Sequence, residues 1–403
     1  MKKRIMHPAV LFSLVWCIIL ALHLFFSFTL LNELFPLTLS TYIIFFMGAL
    51  AFSFGGFIET AIAEKVEVKR KAINNITNIS QTGINVSLRC LLLAIIIIGL
   101  PFYIQAAYRV FLASNIDSFF AGLRTELSYG SEDIGWTKYL VSFSFVVFAI
   151  NLYSFFKERT KTNKILVSVN FLFTLTYAVF VTGRGLFLML LLLYFGLSYV
   201  QNKNFSLKKI ASFFTLFILL FISIGIMYGK GGDKENTMKE NIKPVLQTTA
   251  IYLVTPLNAF DWEKHHQFQV TYEGNYSLRF FTKIAEQLDL TPNLKVTELV
   301  QPFVFVPYPT NVYTIYSPYI KDFGNLYAWV MLFLFGYIHT FIFFKALSTK
   351  SFRYSVYFSF LLFPLFMSFF QDQYLSLFSQ WLQIVVYFEG IQFLNKFFVS
   401  AND

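Results

Sequence analysis

Two cysteines, Cys17 and Cys90, are all the chain has in 403 residues, and both fall inside apolar runs. That excludes a disulfide framework and a cysteine-based zinc site, and leaves the two thiols to be read as packing residues. Charge is scarce as well: 13% of residues are Asp, Glu, Lys or Arg, and 32 basic residues outnumber 22 acidic ones for a net charge of +10. A surplus of that sign can mark a nucleic-acid surface. Here the cations sit in short stretches between apolar runs and form no single basic face, which excludes nucleic acid as the partner. Tandem repeats and low-complexity tracts are absent beyond those runs. What is abundant is apolar surface, with 56% hydrophobic and 20% aromatic residues and a mean hydropathy of +0.59.

Roughly ten stretches stay apolar for about 17 to 25 residues, the length a helix needs to cross the hydrocarbon core of a bilayer. They fall at about 8–30, 37–57, 84–112, 137–156, 165–182, 186–200, 210–228, 319–345, 354–370 and 375–394. The expected fold is therefore all-α: a polytopic transmembrane helix bundle of about ten spans forming one integral membrane domain over 1–403. The basic start, Met1-Lys2-Lys3-Arg4, resembles a signal peptide. The run after it is too long and lacks an Ala-x-Ala site, so it reads as a retained first span. With the N-terminus inside, alternate connections collect Lys65, Lys69, Arg70 and Lys71, then Lys157, Arg159, Lys161 and Lys164, then Lys203, Lys208 and Lys209, then Lys345, Lys350 and Arg353. The opposite connections hold Arg109, Arg124, Lys138 and Arg184 against Glu33, Asp117, Glu126, Glu132, Asp133 and Asp372. This asymmetry places both termini in the cytoplasm. The pair at 165–200 is short in each half, and a re-entrant pair is the competing reading there.

One segment, about 229–318, is polar to amphipathic and reads as a large extracytoplasmic loop with short amphipathic helices. Pro244 to Phe260 reads as an interfacial helix interrupted by Pro256, and Ser277 to Leu288 as a second short helix. Within Thr182-Gly183-Arg184-Gly185 a guanidinium lies between two glycines, so backbone and side chain can both approach a ligand. Centring Arg184 in lipid would cost about 2.5–3.5 kcal/mol, which puts it at the interface or in a wet cavity. Asn170, Thr174 and Tyr177 recur at helical spacing as a polar stripe on its side. The competing reading is a snorkelling arginine beside a helix-packing stripe.

Around Asn311 the sequence NVYTIYSPYIKDFG places Ser317 and Pro318 as a helix start, Ser as the cap and Pro at the first helical position. That N-terminus, with Lys321, offers positive charge and free N–H groups to an anion, and Tyr319, Asp322 and Phe323 would share a face. For Tyr313, Tyr316 and Tyr327 the competing reading is an aromatic belt. Arg124, Arg279 and the pair His265-His266 are weaker candidates, since adjacent histidines point apart on a helix and make a poor metal site. Gln380, Gln383 and Tyr387 form a stripe that helix-to-helix hydrogen bonds would explain.

The TGRG turn opening an apolar helix, YLVTPLNAF (Tyr252 to Phe260) and NVYTIYSPYIKDFG (Asn311 to Gly324) before a late span resemble the Wzy-type oligosaccharide repeat-unit polymerases that make O-antigen and capsule. The resemblance covers about 165–345, and the single large loop suits it. Gly135 downstream of Arg124 resembles an arginine motif of such polymerases, in an earlier loop than that motif would favour, and Arg279 has no matching glycine. The resemblance implies a multi-pass protein of the bacterial inner membrane. Its implied substrate is an oligosaccharide on undecaprenyl pyrophosphate, transferred at the outer face to the next lipid-linked unit. A flippase and a chain-length regulator of the same pathway, and membrane lipid, are the implied partners. The leaving group is already good, so stabilising negative charge matters more than protonating an oxygen, and neither metal nor cofactor is expected. Arg184, Arg279 and Asp322 are then the expected catalytic residues, Asp322 as the base with Asp261, His265 and Glu273 as rivals. Arg124, Tyr177, Gly183, Gly185, His265, Tyr313, Tyr319 and Lys321 are the expected substrate contacts. A glycan ligase and a flippase or transporter remain the alternatives; the latter should show pseudo-repeated halves, which this sequence does not.

Overall fold

The computed structural model describes residues 6–73, 83–130, 132–201, 238–266, 269–290 and 296–400, with residues 212 and 215. In chain order its helices are α1 (Pro8–Thr29), α2 (Leu39–Ile73), α3 (Val86–Ala113), α4 (Phe119–Tyr129), α5 (Tyr139–Lys157), α6 (Lys161–Phe180) and α7 (Arg184–Gln201). After these come α8 (Met238–His266), α9 (Arg279–Gln287), the hairpin β1 (Val304–Phe305) and β2 (Pro309–Thr310), α10 (Tyr316–Thr349), α11 (Phe352–Met367) and α12 (Phe378–Ser400). Among the described residues seven helices are long and apolar enough to cross a membrane: α1, α2, α3, α5, α6, α7 and α10. The protein is thus a multi-pass, all-α membrane protein. The expected span at 210–228 lies outside the described residues. α11 is apolar but short, and α12 is interrupted by Gln383, Glu389, Gln392, Asn395 and Lys396. Over 161–201 the structure has two separate helices, α6 and α7, each long and apolar enough to cross a membrane.

Contacts gather the chain into two compact units, the first made of Met1–Ile79, Asp233–Thr349 and Leu361–Phe378, the second of the remainder. In the first unit α2 and α10 pack backbone to backbone. A Cβ on Gly336 would stand 1.9 Å from the Phe52 carbonyl oxygen, and one on Gly55 2.1 Å from that of Phe333. Small residues are what let membrane helices approach so closely, because lipid gives no hydrophobic drive and van der Waals contact must supply the attraction. An aromatic cluster ties α1, α2, α8 and α10 together, with Trp16 and Phe45 ring centroids 4.8 Å apart, Trp16 and Tyr316 5.1 Å, and Phe45 and Phe260 5.3 Å. The Tyr316 hydroxyl donates to the Phe45 carbonyl at 3.0 Å. Tyr316 is therefore a core residue and no part of an aromatic belt.

α8 also departs from expectation. It runs through both Pro244 and Pro256 as one helix, and its apolar face is covered by protein: Ala250 and Val254 pack with Leu31 and Leu34. Amphipathic spacing announces a buried face without saying whether lipid or protein covers it.

In the second unit Tyr177, Asn170 and Thr174 are fully buried. The Tyr177 hydroxyl donates to the Ile96 carbonyl of α3 at 3.0 Å, near the kink-prone Pro101, and Thr174 donates to Asn170 at 3.0 Å. Arg89, only 3% exposed, donates to Asn163 at 2.8 Å and to Asn151 at 3.5 Å. The two cysteines lie exposed on α1 and α3.

Gly336→Ala should force α2 and α10 apart, an overpacking cost of about 1–3 kcal/mol. A clear fall in the melting temperature of the purified protein is expected, and an unchanged value would contradict the close crossing.

Candidate functional site

The site lies in the first unit, where the end of α8, the start of α10 and the connection between α11 and α12 supply buried charges. Glu263, at the end of α8, is 3% exposed. It forms an ion pair with Lys321 of α10 and accepts a 2.7 Å hydrogen bond from the Ser317 hydroxyl. The Lys321 ammonium also lies 4.7 Å from the centre of the Tyr276 ring and 5.4 Å from that of Tyr313, so cation–π attraction adds to the pair. Removing either partner would strand a buried charge at a cost of about 3–5 kcal/mol.

Next along α10, Asp322 is completely buried. One oxygen accepts from the Tyr276 N–H at 3.0 Å, and the other from the N–H and hydroxyl of Ser277, both at 2.6 Å. Its own carbonyl accepts from the Tyr272 N–H at 2.8 Å, and that of Lys321 from the Thr271 N–H at 2.9 Å. The start of α10 thus holds the segment before α9 by backbone and side chain together. Just beyond, Phe323 and Gly324 leave helical geometry, and Gly324 takes a φ of +81° that a residue with a Cβ rarely adopts.

Asp372, between α11 and α12, is the matching clamp. It accepts from the Tyr319 hydroxyl at 2.9 Å, the Tyr374 N–H at 2.9 Å and the Ser376 N–H at 2.8 Å. Burial raises its carboxyl pKa, and those donors pull it back down.

These elements border an open cleft, its lining including Tyr276, Arg279, Glu298, Lys321, Gln371 and Asp372. Arg279, the first residue of α9, brings a guanidinium whose Nε is enclosed without a hydrogen-bond acceptor. Burial lowers its pKa and the nearby Glu298 carboxylate raises it again; arginine stays cationic throughout. Burial first, and Glu263 after it, raise the hydroxyl pKa of Tyr276 and Tyr313. The arrangement can hold an anion beside cationic side chains and a sugar by its C–H face against the rings, with its hydroxyls on the amides.

Several expectations change against this geometry. Asp322 as base is corrected: both its oxygens are committed to backbone and hydroxyl donors, and it does not line the cleft. Ser317 is no helix cap, because its hydroxyl serves Glu263. The anion site expected at a long helix N-terminus shrinks to the short stretch of α10 before the break at Phe323, whose dipole is small. The break also removes Phe323 from a shared face with Tyr319 and Asp322. Lys321 reaches the cleft with its charge already paired. Tyr319 is sealed in the core against Asp372, and Tyr177 is likewise enclosed, so neither offers a surface to substrate. Tyr313 is buried, its hydroxyl donating to the Pro302 carbonyl at 3.0 Å, yet its ring edges the cleft. His265 is exposed beside Thr38, its Nε2 3.2 Å from that hydroxyl. Among the rival bases, Asp261 is held by the hydroxyls of Thr38 and Thr41 and Glu273 by Asn275 at 2.6 Å.

Arg124, Tyr177, Gly183, Arg184 and Gly185 belong to the second unit. Arg124 is half-buried on α4 and Arg184 half-buried at the first position of α7. The left-handed residue of that turn is Thr182, with φ +58°, and neither glycine. Sequence reasoning missed Glu263, Glu298 and Tyr276 and ranked Asp372 only among the loop acids. The signal for Glu263 was its place three residues beyond Phe260, on the apolar side of α8. No family model, curated protein or solved structure matches the chain.

Replacing Asp322 with Ala should leave three donors without their acceptor, a loss of about 3 kcal/mol or more. Hydrogen–deuterium exchange should then accelerate over 271–278, and unaltered protection there would contradict the clamp.

Proposed function

We propose that this protein is a polymerase of the Wzy type, joining oligosaccharide repeat units carried on undecaprenyl pyrophosphate at the outer face of a bacterial inner membrane. The observation that carries this reading is the cleft that brings Arg279 and Lys321 together beside Tyr276 and the amide of Gln371. It is supported by two of the three sequence segments behind the resemblance, Tyr252 to Phe260 and Asn311 to Gly324, which pack on one another in the first unit, with the Phe260 and Tyr316 ring centroids 6.2 Å apart. The charge asymmetry of the connections supports about ten spans, cytoplasmic termini and an extracytoplasmic 229–318.

In this reading the acceptor hydroxyl attacks the anomeric carbon of the donor sugar, the carbon–oxygen bond to diphosphate breaks, and the departing anion is held by Arg279, with Lys321 as the paired second cation. Glu298 replaces Asp322 as the acceptor of the hydroxyl proton. It lines the cleft, and among the described residues no donor engages its carboxylate. Arg124, Gly183, Arg184 and Gly185, in the second unit, are proposed separately as contacts for lipid-linked substrate. His265 is exposed enough to meet a sugar.

Deleting the protein and running surface polysaccharide on a gel separates the alternatives: a polymerase leaves one repeat unit attached, a ligase none, and a flippase traps precursors inside. Arg279→Ala should remove a charge-assisted contact worth about 1.5–3 kcal/mol, a ten- to hundredfold loss of rate. Long chains should collapse toward single units at normal protein abundance. A ladder of chain lengths unchanged from wild type would remove Arg279 from the mechanism.

A further inference from the structure

Among the described residues of the first unit, helix α9 carries an apolar edge left largely open, touched by Phe378 only beside Phe281. Phe281, Ile284 and Leu288 recur at helical spacing, the last as its C-cap, and are 49%, 39% and 63% exposed. Such a stripe is the signature of a helix with one apolar face, and in water it would be a liability. The opposite side is fully employed. Arg279 faces the cleft, and Thr282 is buried, its hydroxyl 3.2 Å from the carbonyls of Gly274 and Leu278. The orientation of the helix is therefore fixed, with the apolar edge pointing out.

The depth of α9 is fixed too. The residues leading into it, Tyr272, Tyr276 and Ser277, bond to Asp322. About one helical turn further along α10 begins the exposed row Leu326, Val330, Leu334 and Ile338, spaced by four residues on a helix apolar enough to span a bilayer. Read as the lipid-facing stripe of α10, that row would put the boundary of the hydrocarbon near Leu326, and α9 would start close to that level. Phe280 and Phe281 continue the contact sideways, their ring centroids 5.3 and 5.0 Å from that of Phe378 at the start of α12.

We propose that α9 is an interfacial helix whose Phe281, Ile284 and Leu288 edge is seated in the headgroup–acyl boundary of the bilayer, which sets the height at which Arg279 enters the cleft. A second copy of the chain is a poorer occupant. Three partly covered side chains offer roughly a few hundred Å², well short of the ~800 Å² per partner that a stable interface buries. An interfacial helix needs only such a stripe, with the polar face left to water or protein. The inference holds whatever reaction the cleft performs.

The test uses the full-length protein in lipid nanodiscs on a Cys17→Ser, Cys90→Ser background, with spin labels on Phe281→Cys, Ile284→Cys and Leu288→Cys and, as controls, on Lys283→Cys and Glu286→Cys. Labels at 281, 284 and 288 should collide more with oxygen than with a water-soluble nickel chelate, and the order should reverse at 283 and 286. Preferential nickel access at 284 and 288, or exclusion of both reagents by a covering protein, would overturn the proposal. Should the cysteine-free protein fail to fold, Ile284→Trp with the native cysteines retained gives the same reading. Shallow brominated lipids should quench its added fluorescence, and quenching by aqueous iodide alone would refute the assignment.

Discussion

The organisation of the first unit depends on burying charge at one junction. Glu263, Lys321 and Asp322 are almost or wholly withdrawn from solvent within two adjacent helix ends, and each is compensated by a specific donor or counter-charge. Desolvation makes such groups expensive when incomplete and directional when complete. Every satisfied bond there also positions something else: Ser317 fixes the pitch of α10 against α8, and Asp322 fixes the chain entering α9. The cleft lies beside this junction, where Lys321 and Asp322 hold the segment before α9 on the start of α10.

This arrangement divides labour among the acids. Asp322 and Asp372 each accept three hydrogen bonds and act as clamps. Glu263 neutralises part of Lys321, which leaves Arg279 as the strongest uncommitted positive charge facing the cleft. Glu298, on the rim, tempers it without a direct bond. For the proposed reaction such balance would matter, because an excess of unpaired cations would hold a diphosphate product as firmly as the transition state.

Helices were legible from sequence because lipid demands long unbroken apolar runs and internally satisfied backbone, so α1, α3, α5, α6 and α7 follow hydropathy closely. The polar stripe of Asn170, Thr174 and Tyr177 was legible for the same reason, since polar atoms in a span must face protein. The site was less so. The pattern of Ser317 and Pro318 suggested a cap, but Glu263, more than fifty residues earlier in the chain, claims the hydroxyl, and no local pattern encodes that. Asp322 looked like a free acid beside a lysine, whereas its donors come from Tyr276 and Ser277 in a segment whose path sequence does not reveal. Pro256 suggested an interruption that the packing of α8 overrides.

The central claim is that this cleft joins lipid-linked sugars. The most direct measurement is to reconstitute the purified protein in vesicles with its lipid-linked repeat unit and resolve the glycans by mass. The account predicts products at successive multiples of one unit, with polyprenyl diphosphate released in step with each new linkage. Repeat units that remain single, or that only change leaflet without bond formation, would contradict it.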